Sequence, residues 1–121
     1  MNLLKKKVTK TELFSEYSKI LNGVLQLSSR EAEVFSFLLK KDSENDPGLF
    51  TYKDRNINTK EIRAEILQTL KLSEANLSRY LGVLKEKGLI VRGTKGWVIN
   101  NIIRPVVVDN VFELRFILEV E

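Results

Sequence analysis

Apolar residues in the first part of the chain recur with a helical spacing. One stripe begins after Thr11 and consists of Leu13, Phe14, Tyr17, Ile20, Leu21, Val24 and Leu25. A period of about 3.6 residues predicts an amphipathic helix. Because glycine favours helix ends, we expect Gly23 to end or fray this helix.

A second helix is predicted to follow Leu27. Ser28 and Glu31 have the spacing of a capping box, in which each side chain accepts a hydrogen bond from the other residue's backbone N–H. The apolar face that follows consists of Val34, Phe35, Leu38 and Leu39. Residues 42–58 are mostly polar and include the turn signal Pro47-Gly48, so they predict a long connection.

Two further helices are predicted to lie close together. The first begins near Asn58 or Thr59, where Asn58 and Glu61 repeat the capping-box spacing. A short turn over 71–73 separates it from the second, which Ser73 caps and Gly88 closes. The buried face of this last helix is predicted to contain Leu77, Tyr80 or Leu81, and Leu84.

The apolar pattern changes to a β-like one after Gly88. Residues 89–92 and 97–100 are β-like and flank the glycine-bounded turn 93–96, which predicts a hairpin. Two more strand-like pieces follow, residues 105–108 and the alternating segment 112–120, with Asp109-Asn110 as a turn between them.

These elements predict an α+β fold that is mainly helical, with a β-hairpin and extra C-terminal β-strands. A length of 121 residues and a hydrophobic fraction of 43% suit one domain with one core. We expect a basic, flexible arm over 1–10, a main domain over 11–104, and a β extension over 105–121 packed on that domain.

The composition argues against most enzymes. The chain has no cysteine and no histidine, which removes thiolate metal sites, the usual zinc ligands and the Ser-His and Cys-His nucleophile pairs. We therefore expect no enzyme, no cofactor and no metal. No apolar run approaches the roughly 20 residues that span a bilayer, and no signal peptide is evident, so a cytoplasmic protein without membrane contact is expected.

Positive charge is concentrated in two parts of the chain. The net charge is +4, and residues 1–10 carry four lysines and no acid. Residues 71–100 carry six basic and two acidic groups, a further +4, and the rest of the chain is net acidic. Such concentration is typical of a polyanion binder, although a basic solvated surface gives the same pattern.

The order of two helices, a short turn and a hairpin favours double-stranded DNA as the partner. The outer side of the helix near 73–87 carries short polar residues and one arginine, which suits a major groove about 12 Å wide. Asparagine and arginine can pair bidentately with adenine and guanine, and hydroxyls and lysines can contact phosphates. The predicted DNA-binding residues are Ser73, Glu74, Asn76, Ser78, Arg79, Lys85, Arg92, Thr94 and Lys95.

Residues 59–100 resemble the winged helix-turn-helix core of MarR-like transcription regulators. The segment Leu77-Ser78-Arg79-Tyr80-Leu81, followed by Leu84-Lys85-Glu86-Lys87-Gly88-Leu89-Ile90, is similar to the recognition helix that enters the first wing strand. The resemblance implies a winged helix fold, base contacts from residues 74–79 and backbone contacts from Arg92 and Lys95. The short wing loop and the strands at 105–120 depart from the family pattern.

Alternative interpretations remain open at this point. A winged helix can instead bind protein, as an RNA polymerase co-factor or a subunit of a larger, phage-encoded assembly. The 42–58 loop and the 112–120 strand would then form the contact surface. Arg79 can form a surface salt bridge instead of a DNA contact. Trp97 is expected to pack beneath the hairpin, with base stacking as the alternative.

A DNA-binding function would also predict a homodimer. Two recognition helices about 34 Å apart would contact an inverted repeat. The N-terminal helix and the C-terminal strand are both candidate dimer elements.

Overall fold

The computed structural model describes residues 5–44, 56–103, 109–112 and 119–120. These residues form an α+β fold with four helices and a two-stranded antiparallel hairpin, which confirms the predicted class. The elements are α1 (Leu13–Leu25), α2 (Ser29–Glu44), α3 (Lys60–Leu70), α4 (Glu74–Glu86), β1 (Ile90–Arg92) and β2 (Trp97–Ile99), followed by a 3-10 turn over Asn101–Ile103.

The end of α1 is set by Asn22, so the prediction for Gly23 is wrong. The helix continues through Gly23 to Leu25, and Gln26 then adopts a left-handed conformation with φ of 54°. The Asn22 side chain closes the turn: its Oδ1 accepts from the Leu27 N–H at 2.6 Å and its Nδ2 donates to the Leu27 carbonyl at 3.1 Å. These bonds provide the helix stop that glycine was expected to provide.

The capping box of α2 is confirmed. The Glu31 N–H donates to Ser28 Oγ at 3.2 Å, and the Ser28 N–H donates to Glu31 Oε1 at 2.9 Å. The helix continues to Glu44, so the predicted connection over 42–58 is wrong at its start. Lys41 in the last turn pairs with Glu65 of α3 at 2.6 Å and with Glu44 at 3.3 Å.

The start of α3 is capped by Thr59, not by the predicted pair Asn58 and Glu61. Thr59 Oγ1 accepts from the Ile62 N–H at 3.2 Å. The Asn58 side chain instead accepts a hydrogen bond from Arg63 at 3.2 Å. A threonine at this position satisfies the same free N–H groups that a capping box would.

Both ends of α4 are as predicted. Ser73 Oγ accepts from the Asn76 N–H at 3.2 Å. At the other end Gly88 has φ of +75°, which a left-handed helix stop requires. The Gly88 N–H donates to the Lys85 carbonyl at 3.0 Å and the Leu89 N–H to the Leu84 carbonyl at 2.9 Å, the bond pattern of a Schellman motif.

The hairpin follows α4, and each of its strands begins and ends within one residue of the predicted position. Its strands pair in the register Ile90–Ile99, Val91–Val98 and Arg92–Trp97. The outer edge of β2 is also occupied, because the Ile57 N–H donates to the Trp97 carbonyl at 2.8 Å and the Trp97 N–H donates to Asn56 Oδ1 at 3.3 Å. The segment before α3 therefore lies along β2.

The hydrophobic core is centred on α2, which contacts α1, α3, α4 and β2. Its side chains are almost completely buried and include Val34, Phe35, Leu38, Leu39, Ile57, Ile66, Leu77, Leu81, Leu84, Ile90 and Ile99. The predicted apolar faces of α2 and α4 are thus confirmed, with Leu81 rather than Tyr80 as the fully buried member.

Tyr17 lies at the edge of this core, where the described C-terminal residues meet α1. Its side chain is 3% exposed, and its hydroxyl donates to the Ile103 carbonyl. The Phe112 ring packs edge-on against the Tyr17 ring with centroids 5.0 Å apart. Asp109 and Asn110, at φ of 52° and 62°, form the predicted turn. Residues 105–108 and 113–118 of the predicted strands lie outside the described residues.

The predicted basic arm contacts α1 through Thr9, whose carbonyl accepts from the Leu13 N–H at 3.0 Å, and through Lys6. Lys6 Nζ lies 2.8 Å from Glu16 Oε2 on α1. Hydrogen bonding to Lys6, together with the positive charge of Lys19, lowers the pKa of the Glu16 carboxyl below its usual range. In the part of the chain that the structure describes, no helix combines the length and apolarity needed to cross a membrane.

Candidate nucleic-acid interface

The helices α3 and α4 are joined by a tight turn. Lys71 has φ of 55°, and the Leu72 N–H donates to the Leu67 carbonyl at 3.1 Å, so α3 stops abruptly before Ser73 starts α4. Leu77, Leu81 and Leu84 bury one side of α4. The exposed surface of α4 carries polar or small side chains, and its residues include Glu74, Ala75, Ser78, Arg79 and Gly82.

Arg79 is the principal cation on this exposed surface. Its guanidinium carbon lies 5.3 Å from the ring centroid of the adjacent Tyr80. Within the described residues Arg79 forms no ion pair, so the salt-bridge alternative has no partner there. An arginine held this way keeps its donor groups available for a carbonyl, base edge or phosphate.

Two of the predicted DNA-binding residues, Glu74 and Ser78, contact Arg63 of α3. Arg63 Nε donates to Glu74 Oε1 at 3.0 Å, and Arg63 Nη2 donates to the same carboxylate oxygen. Arg63 Nη2 also donates to Ser78 Oγ at 3.1 Å, and Nη1 donates to Asn58 Oδ1 at 3.2 Å. One guanidinium therefore joins the segment before α3 to two successive turns of α4.

Sequence reasoning did not identify Arg63. Its neighbours in α3 gave no motif, and its partner Glu74 lies 11 residues away across the turn. The only signal was the presence of an arginine in α3 and a glutamate in the first turn of α4. That signal becomes informative only when the crossing of the two helices is known.

Ser73 and Asn76 lie at the beginning of α4. The Ser73 hydroxyl oxygen is occupied as the helix cap for the Asn76 N–H. Asn76 is half-buried, while its neighbours Glu74 and Ala75 are exposed. Both predicted contacts thus lie on the first turn, where free backbone N–H groups favour an anion.

Trp97 joins the C-terminal part of α4 to the hairpin. Lys85 Nζ lies 4.3 Å from its ring centroid, and the Arg92 guanidinium carbon lies 5.6 Å from it. Both distances are within cation–π range. Trp97 is half-buried against the hydrophobic core, which confirms the predicted packing. Two predicted DNA contacts, Lys85 and Arg92, are thereby held at one aromatic ring.

Thr94 and Lys95 lie in the turn of the hairpin, and both are exposed. The Gly93 N–H donates to the Gly96 carbonyl at 2.6 Å and closes this turn. The turn therefore presents one lysine and one hydroxyl at the end of a short hairpin.

Lys87, another basic residue of the 71–100 segment, forms hydrogen bonds with the end of α1. Lys87 Nζ donates to the backbone carbonyls of Leu25 and Gln26, both at 2.8 Å. It thereby binds the last carbonyls of α1 and ties that helix end to α4. Lys87 is therefore engaged within the fold, which leaves the other basic residues of this segment as the candidates for contact with a polyanion.

A recess among the described residues is lined by residues of α1, α2 and α3 and by none of α4. It is a shallow, open cavity of about 220 Å³ between α1, α2 and the end of α3. Phe14, Phe37 and Leu70 line it together with Ser36 and Lys40. Over residues 5–44, 56–103, 109–112 and 119–120, no three potential acidic metal ligands lie together.

In the comparisons with known proteins, no family model, no curated protein and no solved structure matches this chain.

Proposed function

We propose that this chain is a winged helix-turn-helix protein that binds double-stranded DNA, with transcription regulation as its use. In this proposal α3 and α4 are the helix-turn-helix, α4 is the recognition helix and the β1–β2 hairpin is the wing. The tight turn at 71–73, the hairpin directly after α4 and the Ile57–Trp97 hydrogen bond support this assignment. The MarR-like resemblance of residues 59–100 agrees with it.

The single observation that carries the proposal is the exposed side of α4. Its side chains are polar or small. Ala75 and Gly82 lie on it together with Arg79, which has no carboxylate partner among the described residues. Such a surface can enter a major groove, where Arg79 would pair with guanine and Asn76 with adenine.

Phosphate contacts would come from residues around this helix. Lys85 and Arg92 beside Trp97, Thr94 and Lys95 in the hairpin turn, and Ser73 at the helix start are the candidates. Contacts of this kind set position and most of the affinity, whereas the base contacts set specificity. A homodimer would place two such helices on an inverted repeat.

The test is a salt titration of binding to a fluorescent random-sequence duplex, followed by selection from a random library. We expect micromolar non-specific binding that falls steeply with salt, and one enriched motif. Absence of binding at low salt would reject DNA binding.

A protein-interaction module is the second candidate, because the described residues expose apolar side chains outside α4. Ile20 and Val24 on α1 are 51% and 67% exposed, and Ile102 is 90% exposed. Ile20 and Val24 are four residues apart and so share one face of α1, which a partner would cover as a pair. A pull-down from the native host, with Ile20→Lys as the comparison bait, would test this function.

A further inference from the structure

Arg63 is the most highly coordinated polar side chain near the exposed surface of α4. Its side chain is only 22% exposed, and it uses Nε, Nη1 and Nη2 to contact three residues. Arginine suits this arrangement because its planar guanidinium carries five donors in a fixed geometry. A lysine, with one nitrogen, cannot reproduce these directions.

The three partners of Arg63 lie on two pieces of chain. Asn58 precedes α3, Glu74 is in the first turn of α4, and Ser78 is one turn further along. Because the two α4 contacts are four residues apart, they constrain both the rotation of α4 about its axis and its position along α3. Rotation of α4 would move Asn76 and Arg79 together.

From this geometry we propose that Arg63 is the positioning residue of the recognition helix, with Glu74 as its internal counter-ion. Arg63 and Glu74 set the rotation of α4, and Asn76 and Arg79 make the base contacts. This inference rests on the DNA-binding function proposed above. It assigns to Glu74 and Ser78 a structural role within the protein in place of the predicted base and phosphate contacts.

Glu74→Gln distinguishes this role from that of an ordinary surface carboxylate. Glu74 is 60% exposed, and removal of a repelling carboxylate from a DNA-facing helix should strengthen binding at every sequence. A positioning role predicts the opposite sign at the preferred site, because the amide cannot hold Arg63 as strongly as the carboxylate does.

The experiment measures dissociation constants for the selected duplex and for a random duplex. The variants are Arg63→Lys, Glu74→Gln and the double variant, with circular dichroism melting as the check of folding. We expect each single variant to weaken selected-site binding about tenfold, with the random duplex within about twofold. Because the two residues act through one contact, the double variant should lose no more than either single one.

Two matched variants serve as controls. Arg30→Lys changes another arginine that joins two helices, since Arg30 Nη1 donates to the Leu70 carbonyl at 3.1 Å. Glu65→Gln removes a carboxylate from an ion pair on α3 that involves Lys41 rather than α4. Both should leave the ratio of selected to random binding unchanged.

Each contrary result has a distinct meaning. Multiplied losses in the double variant would show independent contacts and overturn the positioning role. Single variants that match their controls, with a wild type that binds DNA, would overturn it as well and leave the proposed function intact. A wild type that binds neither duplex would overturn both the function and this inference.

Discussion

The two arginines of the α3–α4 unit have different surroundings. Arg63 is largely covered and holds a carboxylate, whereas Arg79 is exposed and contacts only the Tyr80 ring among the interactions described. A guanidinium that is already paired must break that pair before it binds a ligand. Arg79 therefore remains available for a base, and Arg63 does not.

Arg79→Ala is expected to weaken binding to the selected duplex by about 1–3 kcal/mol and to relax specificity at one base pair. The loss follows from removal of a bidentate donor that no other residue replaces. Fluorescence anisotropy measures it, with Arg30→Ala as the control for loss of one arginine charge. Equal losses in the two variants would remove Arg79 from the base-contacting set.

Lys95→Ala should act differently, because a hairpin-turn lysine would contact phosphate. We expect weaker binding by a similar factor at all sequences, and a slope of log K against log salt reduced by about 0.9. A salt titration on the selected and random duplexes measures both quantities. A loss confined to the selected duplex would assign Lys95 a base contact instead.

At the scale of elements, the hairpin depends on a close approach between Gly96 and the segment before α3. A Cβ atom at Gly96 would overlap the Asn56 side chain, and Gly96 has φ of +150°. Both features require glycine, because other residues rarely adopt this backbone conformation and the space is filled. Asn56 at the same point accepts the Trp97 N–H.

Gly96→Ala is accordingly expected to lower the free energy of unfolding by about 1–3 kcal/mol. Gly82→Ala is the matched control: a Cβ there meets nothing within 4 Å, and the residue is in the middle of α4. That control should raise stability by about 0.5–1 kcal/mol through helix propensity. Urea denaturation measures both, and a stable Gly96→Ala variant would contradict the close approach.

The elements that the sequence predicts well are those with local capping signals. Ser28, Ser73 and Gly88 set their helix ends through bonds to residues a few positions away, so spacing alone was sufficient. The last turn of α2 falls in the polar segment that the sequence assigns to a connection, and its contact between Lys41 and Glu65 of another helix cannot be deduced from spacing along the chain. The Arg63 contacts were missed for the same reason, since the crossing of α3 and α4 brings them together.

At the scale of the whole molecule, one core centred on α2 supports every described element. Tyr17 connects this core to the residues that follow the hairpin. Burial raises the pKa of its phenol to about 12, above the ordinary value near 10. The neutral phenol is also the donor to the Ile103 carbonyl, so ionisation would break this contact.

Stability should therefore decrease in alkaline solution. Because the folded pKa is raised, the Tyr17 contribution is complete below pH 10 and is lost as the pH rises through about 12. The full loss is on the order of 2–3 kcal/mol. Urea denaturation from pH 9 to 12 should show a steeper decline for the wild type than for Tyr17→Phe; parallel curves would contradict it.

Trp97 is the only tryptophan of the chain, and its ring is within cation–π range of a lysine of α4 and an arginine of β1. The tryptophan fluorescence of the unlabelled protein therefore comes from one emitter at one junction. Any event that draws Lys85 or Arg92 off the ring, or separates the hairpin from α4, changes the environment of that emitter. Unfolding, local opening and ligand binding can thus be followed in one cuvette by emission maximum and quenching, without a dye and without altering the sequence.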